Sequence, residues 1–159
     1  MKGLVLVEVV VSVLILSFLM AGIYGVLNAG GSTYHTSVTL VDLQQQARLA
    51  MDGMTREVRQ ARASEIDSTG FPDEISFKVP PETAGAVWIG WITYYLDTVS
   101  NQIIREYPSG TEKIVANNVQ SLNFSLNDNV LDIRLVCTNK ALQRDLLFTL
   151  EEQVRLRNE

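Results

Sequence analysis

An α+β chain is predicted here: a long amino-terminal helix whose first half crosses a membrane, packed through its second half on an antiparallel β-sheet domain. Three observations carry that prediction. Leu4–Leu27 is an apolar run of 24 residues, 19 of them hydrophobic, in which Glu8 is the one charge. From Leu40 onward apolar residues return at helical spacing. Beyond about residue 67 the period changes to two. The boundaries read from these changes are 4–27 for the membrane helix, 28–66 for its amphipathic continuation and 67–159 for the β domain.

Composition narrows the function before any motif is considered. The 159 residues carry a formal net charge of −5, from 18 acidic and 13 basic side chains, so no global attraction to nucleic acid is expected. One cysteine excludes an internal disulfide framework. One histidine beside one cysteine excludes the usual zinc clusters and any catalytic system built on several histidines. Four prolines and ten glycines are too few for a disordered or collagen-like chain.

A helix of 24 residues rises about 36 Å, enough to cross a hydrocarbon core of about 30 Å with some tilt. A secretory signal peptide is the alternative, and Ala29-Gly30-Gly31-Ser32 would mimic its small-residue cleavage site. The run is longer than the 7–15 apolar residues typical of such peptides. Glu8, four residues inside the run, suits neither a plain signal nor a plain anchor. An isolated carboxylate there costs roughly 2.5 to 3.5 kcal/mol or more unless it pairs.

Lys2-Gly3-Leu4-Val5-Leu6-Val7-Glu8 resembles the processing signature of type IV prepilins and pseudopilins: a basic leader ending in glycine, a hydrophobic residue, and glutamate fifth in the mature chain. The resemblance implies that residues 1–3 are a leader, that a membrane aspartyl prepilin peptidase cuts after Gly3, and that Leu4 is N-methylated. It also implies an assembly role for Glu8. Leu4 stands where phenylalanine is usual and Val5 where threonine is usual. The leader is very short, or the true start lies upstream of Met1. The stretch Asp42 to Ala61 is similar to the continuation helix of J-type minor pseudopilins and W-type minor pilins. So are Trp91 to Asp97, Ile103-Ile104-Arg105, Asn118 to Phe124 and Val154 to Asn158. Together these pieces cover most of the chain.

In the continuation helix, Leu43, Ala47, Ala50, Met54, Val58 and Ala61 fall within an arc of about 80°, the core-facing stripe of an amphipathic helix. Arg48, Arg56, Arg59 and Arg62 take the opposite face. They read as a solvated polar face or, more sharply, as a basic stripe meeting acidic surfaces of neighbouring subunits. The helix is expected to run to about Ile66. Gly30-Gly31 predicts a soft point, since each glycine costs roughly 1 kcal/mol against alanine, and Gly22 and Gly25 loosen it further.

After Ser68 to Asp73, alternation marks strands at Ile75-Phe77-Val79, at Leu122-Phe124-Leu126 and at Leu131-Ile133-Leu135, the last two joined by a hairpin at Asn127-Asp128-Asn129. Val87–Leu96 is apolar on both faces and reads as a central strand, paired with Gln102–Tyr107 across the Asp97–Asn101 turn. Pro80-Pro81 and Pro108-Ser109-Gly110 punctuate the strands. The whole reads as an antiparallel meander. Residues 142–157 fit two periods. Leu142, Leu146, Leu147, Leu150 and Val154 have helical spacing, whereas Leu146, Phe148, Leu150, Val154 and Leu156 nearly alternate. The resemblance favours a last strand, bulged at Glu151-Glu152.

No constellation for chemistry emerges, and no enzyme, catalytic residue, cofactor or metal is expected. His35 reads as an exposed linker residue and Cys137 as a small core or strand-edge residue. Trp88, Trp91, Tyr94 and Tyr95 read as core in preference to a ligand groove. The function the resemblance implies is structural: a minor pilin or pseudopilin of a type II secretion pseudopilus or a type IV pilus, in the tip or initiation complex. Its partners would be other minor and major pilins or pseudopilins, the prepilin peptidase, the inner-membrane assembly platform and the lipid bilayer. Its place would be the bacterial inner membrane as a single-pass protein with the globular domain outside, then a periplasmic or cell-surface filament. The alternatives are a competence-pilus subunit in DNA uptake, a membrane-tethered ligand-binding domain, and a secreted enzyme released near Ala29.

Overall fold

The computed structural model describes residues 2–79, 90–142 and 144–156, with side chains from Val7 onward. The chain divides into two compact units, Met1–Val38 and Thr39–Glu159. The first helix, α1, is Lys2–Val58 and contributes to both.

In the first unit α1 is the whole structure. Its side chains from Val7 to Leu27 are all exposed, including large ones such as Leu14, Ile15 and Phe18. The helix is long and apolar enough to cross a membrane, and the apolar window that qualifies has no residue buried within the protein. Its hydroxyls are satisfied locally. Ser12 donates to the Glu8 carbonyl at 2.8 Å and Ser17 to the Val13 carbonyl at 2.7 Å, so neither brings an unpaired donor into hydrocarbon. The soft point expected near Gly30 is not a break. Helical backbone continues through Gly30 and Gly31, and Ser32 and Thr33 both donate back to the Ala29 carbonyl.

In the second unit the helix changes character. Leu43, Ala47, Ala50, Met54 and Val58 are buried, as the spacing predicts, and so is Ala61 just beyond the helix; Met51 joins them. The helix ends at Val58, eight residues before the expected Ile66. Gln60 N–H bonds to the Glu57 carbonyl and Ala61 N–H to the Val58 carbonyl, three residues back, which tightens the last turn and swings Ala61 into the core. A 3₁₀ turn at Ala63–Glu65 follows.

Two antiparallel sheets complete this unit. The first contains β1 (Ile66–Asp67), β2 (Glu74–Phe77), β3 (Ile92–Asp97), β4 (Gln102–Glu106) and β5 (Glu112–Ala116), neighbouring in chain order. The second contains β6 (Val119–Asn127), β7 (Val130–Ala141) and β8 (Arg144–Arg155), also in chain order. The predicted single meander is therefore two meanders. The β3–β4 pairing across the Asp97–Asn101 turn and the two-residue β6–β7 hairpin, with Asp128 at φ 52°, are as the sequence predicts. β5 is an addition. Its register against β4 shifts between Ile103 and Ile104; Ile103 joins the core, whereas Ile104, opposite Tyr95, is buried on the other face of the sheet, so both isoleucines are buried and the alternation is concealed.

The described part of the aromatic strand is central, flanked by β2 and β4; Val87, Trp88 and Pro80-Pro81 lie outside the described residues. Residues 144–155 form a strand, as expected, and not the helix that local propensity favours, but the expected bulge at Glu151-Glu152 is absent. β8 pairs with β7 without interruption from Val130↔Arg155 to Ala141↔Arg144. Helix and sheets share one core, in which Met51 and Met54 belong to the same cluster as Phe77, Tyr94, Leu122, Ile133 and Val154. The sheets are also tied through backbone bonds, from Val119 N–H to the Asn101 carbonyl at 2.9 Å and from Phe124 N–H to the Pro72 carbonyl at 2.8 Å.

Candidate functional site

The residues expected to be processed lie in the first turns of α1. Gly3 and Leu4 are helical in backbone. Glu8 is four residues beyond Leu4, so the two positions share a helix face one turn apart. Glu8 is exposed, and no ion pair among the described residues involves it. An amine released at Leu4 would thus lie one turn from a carboxylate in an otherwise uncharged apolar segment.

The four arginines do not form the single stripe the sequence predicts. Arg48 and Arg56 are exposed on α1, and Arg48 borders a hollow of about 250 Å³ with Val41, Gln44, Gln45 and Leu49. Arg59 is exposed and Arg62 half-buried, and both lie past the helix end. Because the chain leaves helical geometry at Val58, the 100° step that would align them no longer applies.

A polar cluster that sequence reasoning misses joins α1 to the first sheet. Glu57 accepts from the Tyr94 hydroxyl at 3.0 Å and from Arg105 Nε at 2.9 Å on the same oxygen, Oε2. Tyr94 and Arg105 are directly opposite in the β3–β4 register. The Arg105 guanidinium also lies over the Tyr107 ring, 5.4 Å from its centroid. Burial and the neighbouring Glu57 carboxylate push the Tyr94 hydroxyl pKa well above its ordinary value. A glutamate beside the apolar stripe is the available signal, but its partners are 37 and 48 residues away.

The aromatic residues separate by strand parity. Tyr94 is buried and stacks with Phe77 at 6.2 Å between centroids, so it is core. Tyr95 points the other way, half-exposed, and donates to Glu112 at 2.8 Å, a bond that pushes its pKa up to about 12. Trp91 is not core. It is 45% exposed with Lys78 Nζ 4.5 Å from its ring centroid.

Cys137 is buried in β7, and burial pushes its thiol up to about 11, which leaves little thiolate at neutral pH. His35 is exposed, in α1 rather than in a linker, with its ring edge-on to Tyr34. The polar face of the second sheet carries an open groove of about 700 Å³, bordered by Asn123, Ser125, Asp132, Gln153 and the Arg134–Glu151 ion pair at 3.1 Å. Among the described residues no three His, Cys, Asp or Glu side chains gather as metal ligands. The chemistry these arrangements offer is association: an apolar helix for lipid, one acid within it, and a domain with a charged surface. No family profile, curated protein or solved structure matches the chain.

Proposed function

We propose that this chain is a minor pilin or pseudopilin, held in the bacterial inner membrane by Leu4–Leu27 and then assembled into a secretion pseudopilus or a type IV pilus. The observation that carries the reading is Glu8, the one charge in an apolar run otherwise fit for lipid, one turn from a residue preceded by Lys2-Gly3. The order of elements, a long helix followed by antiparallel sheets, supports it.

Cleavage after Gly3 frees the amine of Leu4. That amine is cationic near the membrane surface and pairs with Glu8 of its own helix or of a neighbouring subunit. Pairing removes the cost of an isolated carboxylate in hydrocarbon and favours one axial register between packed helices. No step in this scheme breaks a bond of a bound substrate; the protein works through surfaces. The domain engages other minor subunits, and the exposed Arg48 and Arg56 complement acidic neighbours.

Mass spectrometry of the protein from its native host tests the reading. A mature chain beginning at N-methylated Leu4 supports it, whereas a chain retaining Gly3 ahead of Leu4 supports an ordinary anchor and a tethered binding domain. Glu8→Ala is expected to insert normally yet lose crosslinks to other minor subunits. Unchanged complex formation in that variant counts against the assembly role.

A further inference from the structure

The second sheet ends in β8, a twelve-residue strand paired on one side with β7 and without a neighbouring strand on the other among the described residues. Alternate residues of such a strand direct their N–H and C=O groups outward, so the edge offers a row of open backbone partners. Proteins usually blunt edges by shortness, a bulge, proline or charged side chains, inward-pointing ones among them. β8 is long, regular in register and free of proline and lysine; its charges, Arg144, Asp145, Glu151, Glu152 and Arg155, flank the stretch 146–150, with Glu152 on the inward parity. Leu146-Leu147-Phe148-Thr149-Leu150 carries no charge, Leu147 is 62% exposed, and Leu146, Phe148 and Leu150 are only partly buried against the core. An uncharged, apolar window on such an edge favours the addition of another strand.

The other edges are less suited. β1 has two residues, β5 has five beginning Glu112-Lys113, and β6 lies against β2, β3 and β4.

We propose that β8 pairs antiparallel with β8 of a second copy of this chain, joining two three-stranded sheets into one of six strands. Charge selects the register. With Leu150 opposite Leu150, Asp145 faces Arg155 twice and Leu146 faces Val154 twice; Phe148 faces Glu152 and Thr149 faces Glu151, and no like charges meet. Sliding by two residues one way sets Glu151 against Glu151. Two the other way sets Leu146 and Leu147 against Glu152 and Glu151, and four that way sets Asp145 against Glu151. A one-residue slide would turn the inner face of one copy to the outer face of the other. This pairing is independent of the filament reading.

The test uses the full chain in lipid nanodiscs and detergent, with Cys137→Ala as background. Directly opposed residues of an antiparallel pair lie about 4.5–5.5 Å apart at Cα, within disulfide range. Under mild oxidation Leu150→Cys is expected to crosslink to itself at least tenfold faster than Leu146→Cys or Phe148→Cys. Asp145→Arg or Arg155→Asp alone is expected to weaken β8-dependent crosslinking about tenfold, and the two together to restore it. Asp145 also faces Lys140 within the sheet, so the melting curve of each variant establishes that the domain is folded. Equal crosslinking at positions 148 and 150, or folded charge-reversal variants that crosslink as the parent does, would overturn the proposal.

Discussion

Val7–Leu27 and Leu43–Val58 belong to one helix, yet they are built by different rules. In the first stretch apolar residues occupy every side and all are exposed. In the second all the large apolar residues except the exposed Leu49 keep to one stripe, and that stripe is buried by the sheets of its own unit. Periodicity marks where the chain's own domain supplies the apolar surroundings, and its loss marks where they must come from outside the chain, as a membrane would supply them. The same chemical change should therefore have opposite consequences at the two places.

The largest expected effect follows from placing a carboxylate in each. Met54→Asp buries an unpaired charge at a fully enclosed position and should cost more than about 4 kcal/mol, abolishing cooperative unfolding of the domain. Leu14→Asp should leave the domain's denaturation midpoint unchanged while costing membrane insertion roughly 2.5 to 3.5 kcal/mol, read from the membrane-bound fraction. If both variants lost the same property, the distinction between the two stretches would fail.

A smaller effect sharpens the account of how the second stretch is held. Glu57→Ala strands the Tyr94 hydroxyl and Arg105 together and should destabilise the domain by about 2 kcal/mol in denaturant titration. Tyr94→Phe removes one bond and should cost about 1 kcal/mol. The two effects should not add, since both act on Glu57 Oε2.

The smallest concerns a surface turn with no counterpart in the membrane stretch. The Ser100 hydroxyl and the Val99 amide donate to Asp97 and hold its carboxyl below the usual carboxylate value. A depressed folded-state pKa contributes stability above the unfolded value, near about 3.9, and loses it as pH falls through the lower folded value. The melting temperatures of the parent and Asp97→Asn should differ at neutral pH and converge in acid.

How much of this was legible depended on the reach of the cause. The stripe from Leu43 to Ala61 was readable because a single period links sequence to burial. β8 was readable in part. Leu146, Phe148, Leu150 and Val154 alternate inward, while Leu142 and Leu147, which completed the helical alternative, are 66% and 62% exposed. The end of α1 was not readable. Arg59, Gln60 and Ala61 favour helix, yet the backbone tightens to bonds three residues back at Gln60 and Ala61, which no local pattern announces. β5 was hidden by its charged start, and β4 beside it buries Ile103 on one face and Ile104 on the other, which masks the alternation. The Glu57 cluster joins residues up to 48 apart, beyond any local pattern. The arginine stripe failed for the same reason as the helix end, because Arg59 and Arg62 need helical geometry that stops at Val58.

Alkaline carbonate extraction of native membranes, with the extracted chain sized by mass, tests whether lipid encloses the first half of α1 and protein the second. A chain that retains Leu4–Leu27 and stays in the membrane pellet is the expected result. Recovery in the supernatant of a chain that has lost this run, or that carries it without sedimenting, would contradict it.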